Sequence, residues 1–320
     1  MVTAAARTPS APPAPLAAVE RRLAVGDGLE LAASLWQPPT ESGQRPVLFA
    51  HGFAQIRGAW THSAQALAAR GHAVLCYDAR GHGGSDRNPD GLAYHGEQFA
   101  DDLARVARGL PAPPVLVGAS MGGLFGLLAQ ARDPQLFAAM VLVDITPRWE
   151  PAGLERILGF VTAFPDGFDS LAQVADVIAR YLPQRQRKDE DELRAVLRQG
   201  ADGRWHWHWD RRLVDDLVRD SARHQDDIAA AARAVRCPLL LVSGGRSELV
   251  SARTIDEFRA LAPHARHAQL AQASHMLAGD DNDAFTRTVL DYLATLPAVR
   301  PGERPSHLDA ADDPATGVRP

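Results

Sequence analysis

The pentapeptide Gly118-Ala119-Ser120-Met121-Gly122 contains the side chain best suited to covalent chemistry. It directly follows the aliphatic run PVLV and directly precedes a helix-forming run. A tight strand-to-helix turn excludes bulky side chains two positions before and after its centre, where this chain has glycines. Ser120 would then project outward at a helix N-terminus, where free backbone N–H groups favour developing negative charge. The alternative interpretation is a glycine-rich connection without chemistry.

The elements that must position this serine follow an alternating pattern. Two runs of strand character joined at Gly26-Asp27-Gly28 indicate a β-hairpin. From Pro46 onward, continuous apolar runs alternate with amphipathic stretches, which indicates parallel strands covered by helices on both faces. The alternation stops over residues 147–233, where the sequence is helical, polar and aromatic, and it resumes at PLLLVSGG. We therefore predict an α/β fold of eight strands with an inserted helical cap.

Domain boundaries follow from the same pattern. A Pro/Ala-rich N-terminal arm covers 1–17, and the core comprises 18–146 and 234–298 on either side of the 147–233 cap. Residues 299–320 contain too few apolar side chains to order themselves and are predicted to be a disordered tail.

Four motifs together resemble the α/β-hydrolase superfamily, in particular its capped serine esterase-like branch. They are HGFAQ at His51, DARGHGGSD at Asp78, GASMGG at Gly118 and ASHMLAGDDNDAF at Ala273. The resemblance covers residues 18 to 298. It implies an eight-stranded, mostly parallel sheet in the order 1-2-4-3-5-6-7-8, with the cap inserted after strand 6.

A serine hydroxyl becomes a good nucleophile only when a neighbouring base takes its proton. We predict that His275 is this base, because it lies in the loop AQASHMLAGDD between the last strand and the final helix. In the implied sheet order that loop must return over several strands to reach Ser120. The rival is His82 in RGHGGS, which we expect to hold the neighbouring loop in shape instead.

The third catalytic group must be a carboxylate that orients the imidazole. We prefer Glu248 in SGGRSELVS, which occupies the position after strand 7 where the family usually has aspartate. The alternative is Asp144, which follows strand 6 in VLVDIT and would reach the site from an adjacent strand. A non-catalytic interpretation of Asp144 is a loop cap close to the hinge of the cap.

The oxyanion formed during acyl transfer must meet preset N–H donors. We predict the backbone N–H groups of Met121, directly after the nucleophile, and Phe53, which follows His51-Gly52 after strand 3. Strand 3 neighbours strand 5 in the implied sheet, so both donors would converge on Ser120. The alternative for HGF is an ordinary turn at a strand end.

Three indoles alternate with two histidines at Trp205-His206-Trp207-His208-Trp209. An extended segment would place Trp205, Trp207 and Trp209 on one face. We expect them to be buried between cap and sheet, with the lining of an apolar substrate pocket as the functional alternative. The histidine pair has no third ligand at a matching spacing, so no metal is predicted.

Charge and composition exclude several other classes of protein. The 34 basic and 39 acidic residues give a net charge of −5 without a basic run, which argues against nucleic acid binding. No stretch of about 20 apolar residues occurs, so we expect no membrane span. The two cysteines, Cys76 and Cys237, are predicted to be buried thiols, and no secretory h-region is found, so we expect a cytoplasmic protein.

These observations predict a cofactor-independent carboxylic ester hydrolase acting on a small, moderately apolar ester or lactone. C–C bond hydrolysis and peracid formation on the same triad remain alternatives. A slow-turnover ligand receptor of the same fold is an alternative from a different class. Dehalogenation and epoxide opening are disfavoured, because relatives with those activities have aspartate in place of Ser120. No sequence pattern indicates an oligomeric state.

Overall fold

The computed structural model describes residues 16–40, 42–183, 187–218, 224–275 and 282–299. Most of the predicted N-terminal arm and of the predicted tail therefore lies outside the described residues. The strands are β1 Val19–Ala24, β2 Glu30–Trp36, β3 Val47–Ala50, β4 Val74–Tyr77, β5 Val115–Ala119, β6 Ala139–Val143, β7 Leu197–Gln199, β8 Trp205–Trp207, β9 Leu239–Gly244 and β10 Arg266–Leu270. The helices are α1 Thr61–Ala68, α2 Gly96–Arg108, α3 Met121–Arg132, α4 Pro151–Thr162, α5 Leu171–Tyr181, α6 Glu190–Arg194, α7 Gln225–Ala234, α8 Ala252–Leu261 and α9 Asn282–Leu293.

Eight strands form one sheet in the order β1-β2-β4-β3-β5-β6-β9-β10, and β7 pairs with β8 in a separate hairpin. Strand β2 is antiparallel to both of its neighbours, and the remaining neighbours are parallel. Counting only the strands of the large sheet, this is the predicted order 1-2-4-3-5-6-7-8. The predicted α/β-hydrolase fold is thus confirmed.

Alternation along the central strands explains why the sheet is covered on both faces. In β3, Leu48 and Ala50 pack into the core beneath α2, α3 and α7, whereas Val47 and Phe49 pack into the core beneath α1 and α9. All four side chains are essentially inaccessible to solvent. Strands buried on both faces require continuous apolar runs, which is the pattern that predicted them.

The insertion between β6 and β9 contains α4, α5, α6 and the β7–β8 hairpin, which share a small core around Phe168, Val174 and Leu197. We use the name cap for these elements. The last helix of the insertion, α7, instead packs against α3 and contributes Ile228 to the core of the sheet. The predicted cap, 147–233, includes most of α7, whereas the contacts of α7 place it with the helices that flank the sheet. Among the described residues, no helix combines the length and apolarity needed to cross a bilayer.

Candidate active site

Ser120 lies at the sharp turn between β5 and α3, with φ 45° and ψ −114°. A positive φ is strained for a residue with a side chain, so the surrounding contacts must hold it. The Ser120 N–H donates to the carbonyl of Val143 at 3.1 Å, and the Ser120 carbonyl accepts from the N–H of Gly123 and Leu124 at 3.0 Å each. The backbone is thus fixed on both sides while the half-buried side chain remains accessible.

The glycines around Ser120 are required by close approach of the backbone. A Cβ on Gly122 would lie 2.4 Å from the carbonyl oxygen of Ala50, and one on Gly118 would lie 2.7 Å from Gly123. Both distances are far below contact, so neither position accepts a larger residue without movement of β3 or α3. This supports the predicted turn and excludes an ordinary flexible connection.

His275 contacts the carboxylate of Asp144. His275 Nδ1 lies 2.8 Å from Asp144 Oδ2, and the Asp144 side chain is completely buried. The carboxylate also accepts from the Gly244 N–H at 2.7 Å and from the Ser247 hydroxyl at 2.5 Å. Because an ionised carboxylate can only accept, His275 carries its proton on Nδ1, which leaves Nε2 free to act as a base.

The structure corrects the preference for Glu248 as the partner of His275. Glu248 forms an ion pair with Arg156 on α4, and about half of each side chain is exposed. The loop after β9 thus directs Glu248 toward the cap. Asp144 directly follows β6, the neighbour of β5, so it lies one strand away from Ser120. The signal in the sequence was an aspartate placed immediately after an apolar strand.

The ends of β5 and β6 bring Ser120 and Asp144 side by side. Ala119 pairs with Val143 in register, and adjacent strands lie about 4.8 Å apart. Among the hydrogen bonds of the described residues, none joins Ser120 Oγ to His275. Such contacts are often long before substrate binds and tighten in the reacting complex.

The two predicted oxyanion donors lie on segments next to the serine, Phe53 in the loop after β3 and Met121 at the start of α3. A Cβ on Gly52 would lie 3.2 Å from the Cβ of Ser120, so the loop after β3 passes directly beside the nucleophile. We call residues 51–57 the oxyanion loop. Among the described residues, neither the Phe53 N–H nor the Met121 N–H has an acceptor, whereas those of Gly52, Ala54 and Gln55 do.

Two buried histidines, His51 and His82, hold the oxyanion loop, and the sequence predicts this role for His82 alone. His51 Nε2 accepts from the Ala79 N–H at 2.9 Å, so its protonated Nδ1 donates to the Gly52 carbonyl at 2.8 Å. His82 Nε2 accepts from the Ala54 N–H at 3.4 Å. Burial lowers the pKa of both imidazoles, that of His82 especially, which keeps them neutral. His82 therefore shapes the loop, as expected.

An aromatic series connects the oxyanion loop to the cap. The Phe53 ring lies 5.9 Å from the buried Trp209, which stacks on Trp207 at 4.9 Å and 12°. Trp207 in turn contacts Phe160 on α4 at 5.6 Å. The Arg194 guanidinium lies over Trp205, which packs against the cap's own core. Trp207 thus packs both against the cap's own core and, through Trp209, toward Phe53, whereas Trp205 packs against the cap's core alone.

Comparison with known proteins identifies similar proteins that are named as hydrolases. Residues 45–281 match a family model described as the alpha/beta hydrolase fold. The chain is 30% identical over 259 residues to the sn-1-specific diacylglycerol lipase of Mus musculus, covering 78% of this chain and 80% of the lipase. It is 29% identical over 264 residues to an esterase of Mycobacterium tuberculosis, covering 78% and 83%. A crystal structure of E-2-(acetamidomethylene)succinate hydrolase superposes with a TM-score of 0.73 at 25% identity, covering 87% of this chain and all of that one.

Proposed function

The chain belongs to the α/β-hydrolase fold family, and from that premise we propose that it is a serine hydrolase cleaving a carboxylic ester or lactone. The observation that carries the proposal is the buried Asp144 on His275, one strand away from a serine on a strained turn. Relatives named as an esterase and a lipase support ester cleavage.

In the proposed reaction, Ser120 Oγ attacks the carbonyl carbon while His275 Nε2 accepts its proton. The Phe53 and Met121 N–H groups stabilise the resulting oxyanion. Removal of one such donor in other enzymes costs about 3 kcal/mol in the transition state. The protonated His275 then gives the proton to the leaving alkoxide, and the C–O bond breaks. Water, deprotonated by His275, attacks the acyl-enzyme, and Ser120 leaves with the proton.

Asp144 keeps His275 in the tautomer that these proton transfers require. Its buried carboxylate also stabilises the imidazolium that forms when the serine proton is transferred. The apolar rings of Phe53, Trp207 and Trp209 next to the site favour a small substrate with an apolar acyl or alcohol group.

The test is a hydrolysis screen across p-nitrophenyl esters of different chain length, lactones, amides and peracids, with Ser120→Ala run beside the wild type. We expect ester or lactone turnover in the wild type and a loss of at least about a thousandfold in Ser120→Ala. Circular dichroism and thermal unfolding of both proteins control for folding. Equal turnover by the two proteins would refute Ser120 as the nucleophile. Cleavage restricted to amides would refute the substrate class.

A further inference from the structure

His208 joins the cap to the oxyanion loop. It follows β8 in the cap and is only 2% exposed. Its Nδ1 accepts from the Gly83 N–H at 2.8 Å, so the proton of the neutral ring is on Nε2. That Nε2–H donates to the Ala54 carbonyl, with the two atoms 3.3 Å apart. One imidazole thus connects the cap to two loops of the core, one containing Gly83 and the other containing Ala54.

Ala54 needs such contacts because its backbone is strained. Its φ is 63°, in the left-handed region that disfavours residues with a Cβ. Its N–H donates to His82 and its carbonyl accepts from His208, so Ala54 is held from the core on one side and from the cap on the other. Without the contact from the cap, this residue would be held by His82 and by the bond from the Gln55 N–H to the Gly52 carbonyl.

The conformation of Ala54 bears directly on Phe53. The Gly52–Phe53 peptide is held through its carbonyl, which accepts from His51 Nδ1–H and from the Gln55 N–H at 3.1 Å. The next peptide is held through the Ala54 N–H. Peptide planarity means that fixing a carbonyl also fixes the N–H on the same plane. The Ala54 carbonyl lies on the same peptide plane as the Gln55 N–H, so a contact that fixes one of them fixes the other. The Gln55 N–H holds the Gly52 carbonyl, and the direction of the Phe53 N–H therefore depends on the Ala54 carbonyl that His208 contacts.

We propose that His208 is a positioning residue through which the seated cap holds the oxyanion loop, so that the Phe53 N–H is aligned with the developing oxyanion. This inference rests on the proposed function, because it gives Phe53 its role. It makes the cap part of the catalytic geometry as well as a cover for the substrate.

Other contacts allow His208 to be changed without releasing the cap. The Asp210 N–H donates to the Gly81 carbonyl at 2.8 Å, and the Tyr94 hydroxyl donates to the Asp210 carboxylate at 2.9 Å. Arg87 also donates to the backbone carbonyl of His208 at 3.1 Å, and that carbonyl does not depend on the side chain. The cap should stay docked in variants of His208.

The experiment uses two substitutions that each keep one of the two hydrogen bonds made by the His208 imidazole. In His208→Gln the amide Nε2 can donate to the Ala54 carbonyl, and in His208→Asn the amide Oδ1 can accept from the Gly83 N–H. Steady-state kinetics on p-nitrophenyl acetate are measured for both, for His208→Ala and for wild type. We expect His208→Ala to lose about 10- to 100-fold in kcat with KM changed by less than about threefold, since transition-state contacts act on kcat. Relative to His208→Ala, we expect His208→Gln to recover most of the wild-type kcat. We expect His208→Asn to recover thermal stability but not kcat.

The matched control is His206→Ala. His206 precedes His208 by two residues on the same segment, but its imidazole pairs with Asp202 at 3.2 Å and not with the core. We expect its kcat to equal that of the wild type. Binding of a boronic acid, which forms a tetrahedral anion on the serine, should weaken in the His208 series in parallel with kcat/KM.

The outcomes separate this inference from the proposed function. If Ser120→Ala abolishes turnover but Gln and Asn variants of His208 have equal kcat, the positioning role is refuted and the serine mechanism stands. An unchanged boronic acid affinity in His208→Ala refutes it in the same way. Full activity of Ser120→Ala refutes both. If His208→Ala does not fold, the comparison of kcat between His208→Gln and His208→Asn decides whether His208 has the positioning role.

Discussion

At the scale of single residues, the environment of Asp144 determines what its side chain can do. A fully buried carboxylate is costly unless hydrogen bonds satisfy both oxygens. Asp144 Oδ1 accepts from Gly244, and Oδ2 accepts from Ser247 and His275. No Arg or Lys of the described residues forms an ion pair with it, so His275 is the group that can become its counter-ion. The charge of Asp144 therefore acts on the imidazole.

This predicts a large loss of activity for one of two isosteric substitutions and almost no loss for the other. Asp144→Asn should lower kcat/KM on p-nitrophenyl butyrate by about 10³- to 10⁴-fold, because an amide cannot hold the required tautomer or stabilise the imidazolium. Glu248→Gln should remain within about threefold of wild type, since its exposed pair with Arg156 contributes at most about 1 kcal/mol. Comparable losses in both variants, or a loss in Glu248→Gln alone, would overturn the assignment of Asp144.

The site could be predicted from sequence wherever one motif determined both position and direction. Ser120 directly follows β5, Met121 begins α3, and Phe53 is the third residue after β3, so their placement follows from the fold. The choice between Glu248 and Asp144 could not be made, because it depends on which way a loop turns its side chain. His206 and His208 are likewise equivalent in the alternating segment, and only the packing of the cap against the loops distinguishes them.

At the scale of elements, the glycines of α3 allow the helix to pack directly on the sheet. A Cβ on Gly126 would lie 2.3 Å from a methyl group of Leu116 in β5, and one on Gly123 would lie 2.8 Å from the Gly118 carbonyl. Helix α3 therefore needs glycine on its inner face, although glycine is unfavourable in helices. The close approach places the start of the helix, and with it the Met121 N–H, against the end of β5.

We expect Gly122→Ala to destabilise the protein by about 1–3 kcal/mol, because the added methyl group would overlap the Ala50 carbonyl. Displacement of Ala50 should also shift the oxyanion loop and lower esterase activity more than tenfold. The matched control is Gly159→Ala in α4, where nothing lies within 4 Å of the new Cβ and the substitution should stabilise by about 0.5–1 kcal/mol. Urea denaturation monitored by fluorescence measures both. If Gly122→Ala leaves the free energy of unfolding unchanged, then α3 can move away from β3.

The pattern of elements predicted the sheet well and the cap less well. Continuous apolar runs identify the central strands because both faces are buried. The three-residue strands β7 and β8 are too short to produce a periodicity, so their hairpin was not predicted. The helical pattern of α7 gave no information on its partner, and packing against α3 decided that it joins the core.

At the scale of the whole molecule, a group of neutral histidines links stability to pH. His51, His82 and His208 are at most 2% exposed, and their rings lie within about 6 Å of their neighbours in the group. Burial lowers the pKa of all three, that of His208 to about 3. The charged groups that act on them are Arg57, Asp78, Arg87 and Arg198. Each of the three rings also uses one nitrogen as an acceptor of a backbone N–H, and protonation would remove that acceptor.

The sign of the resulting pH dependence follows from linkage. Unfolded histidines titrate near pH 6.5, whereas these three stay neutral in the folded state at lower pH, so the unfolded state binds more protons. Their stabilisation is complete above about pH 6.5 and decreases as the pH falls below it, by up to about 1.4 kcal/mol per pH unit for each histidine. For His208 the decrease continues to about pH 3. We expect the free energy of unfolding from urea titrations to fall between about pH 6.5 and about pH 4.5, before carboxylates dominate. In His208→Gln the slope should decrease by the contribution of one histidine, whereas in His206→Ala it should equal that of wild type. An unchanged slope in His208→Gln would show that His208 does not resist protonation in the folded protein.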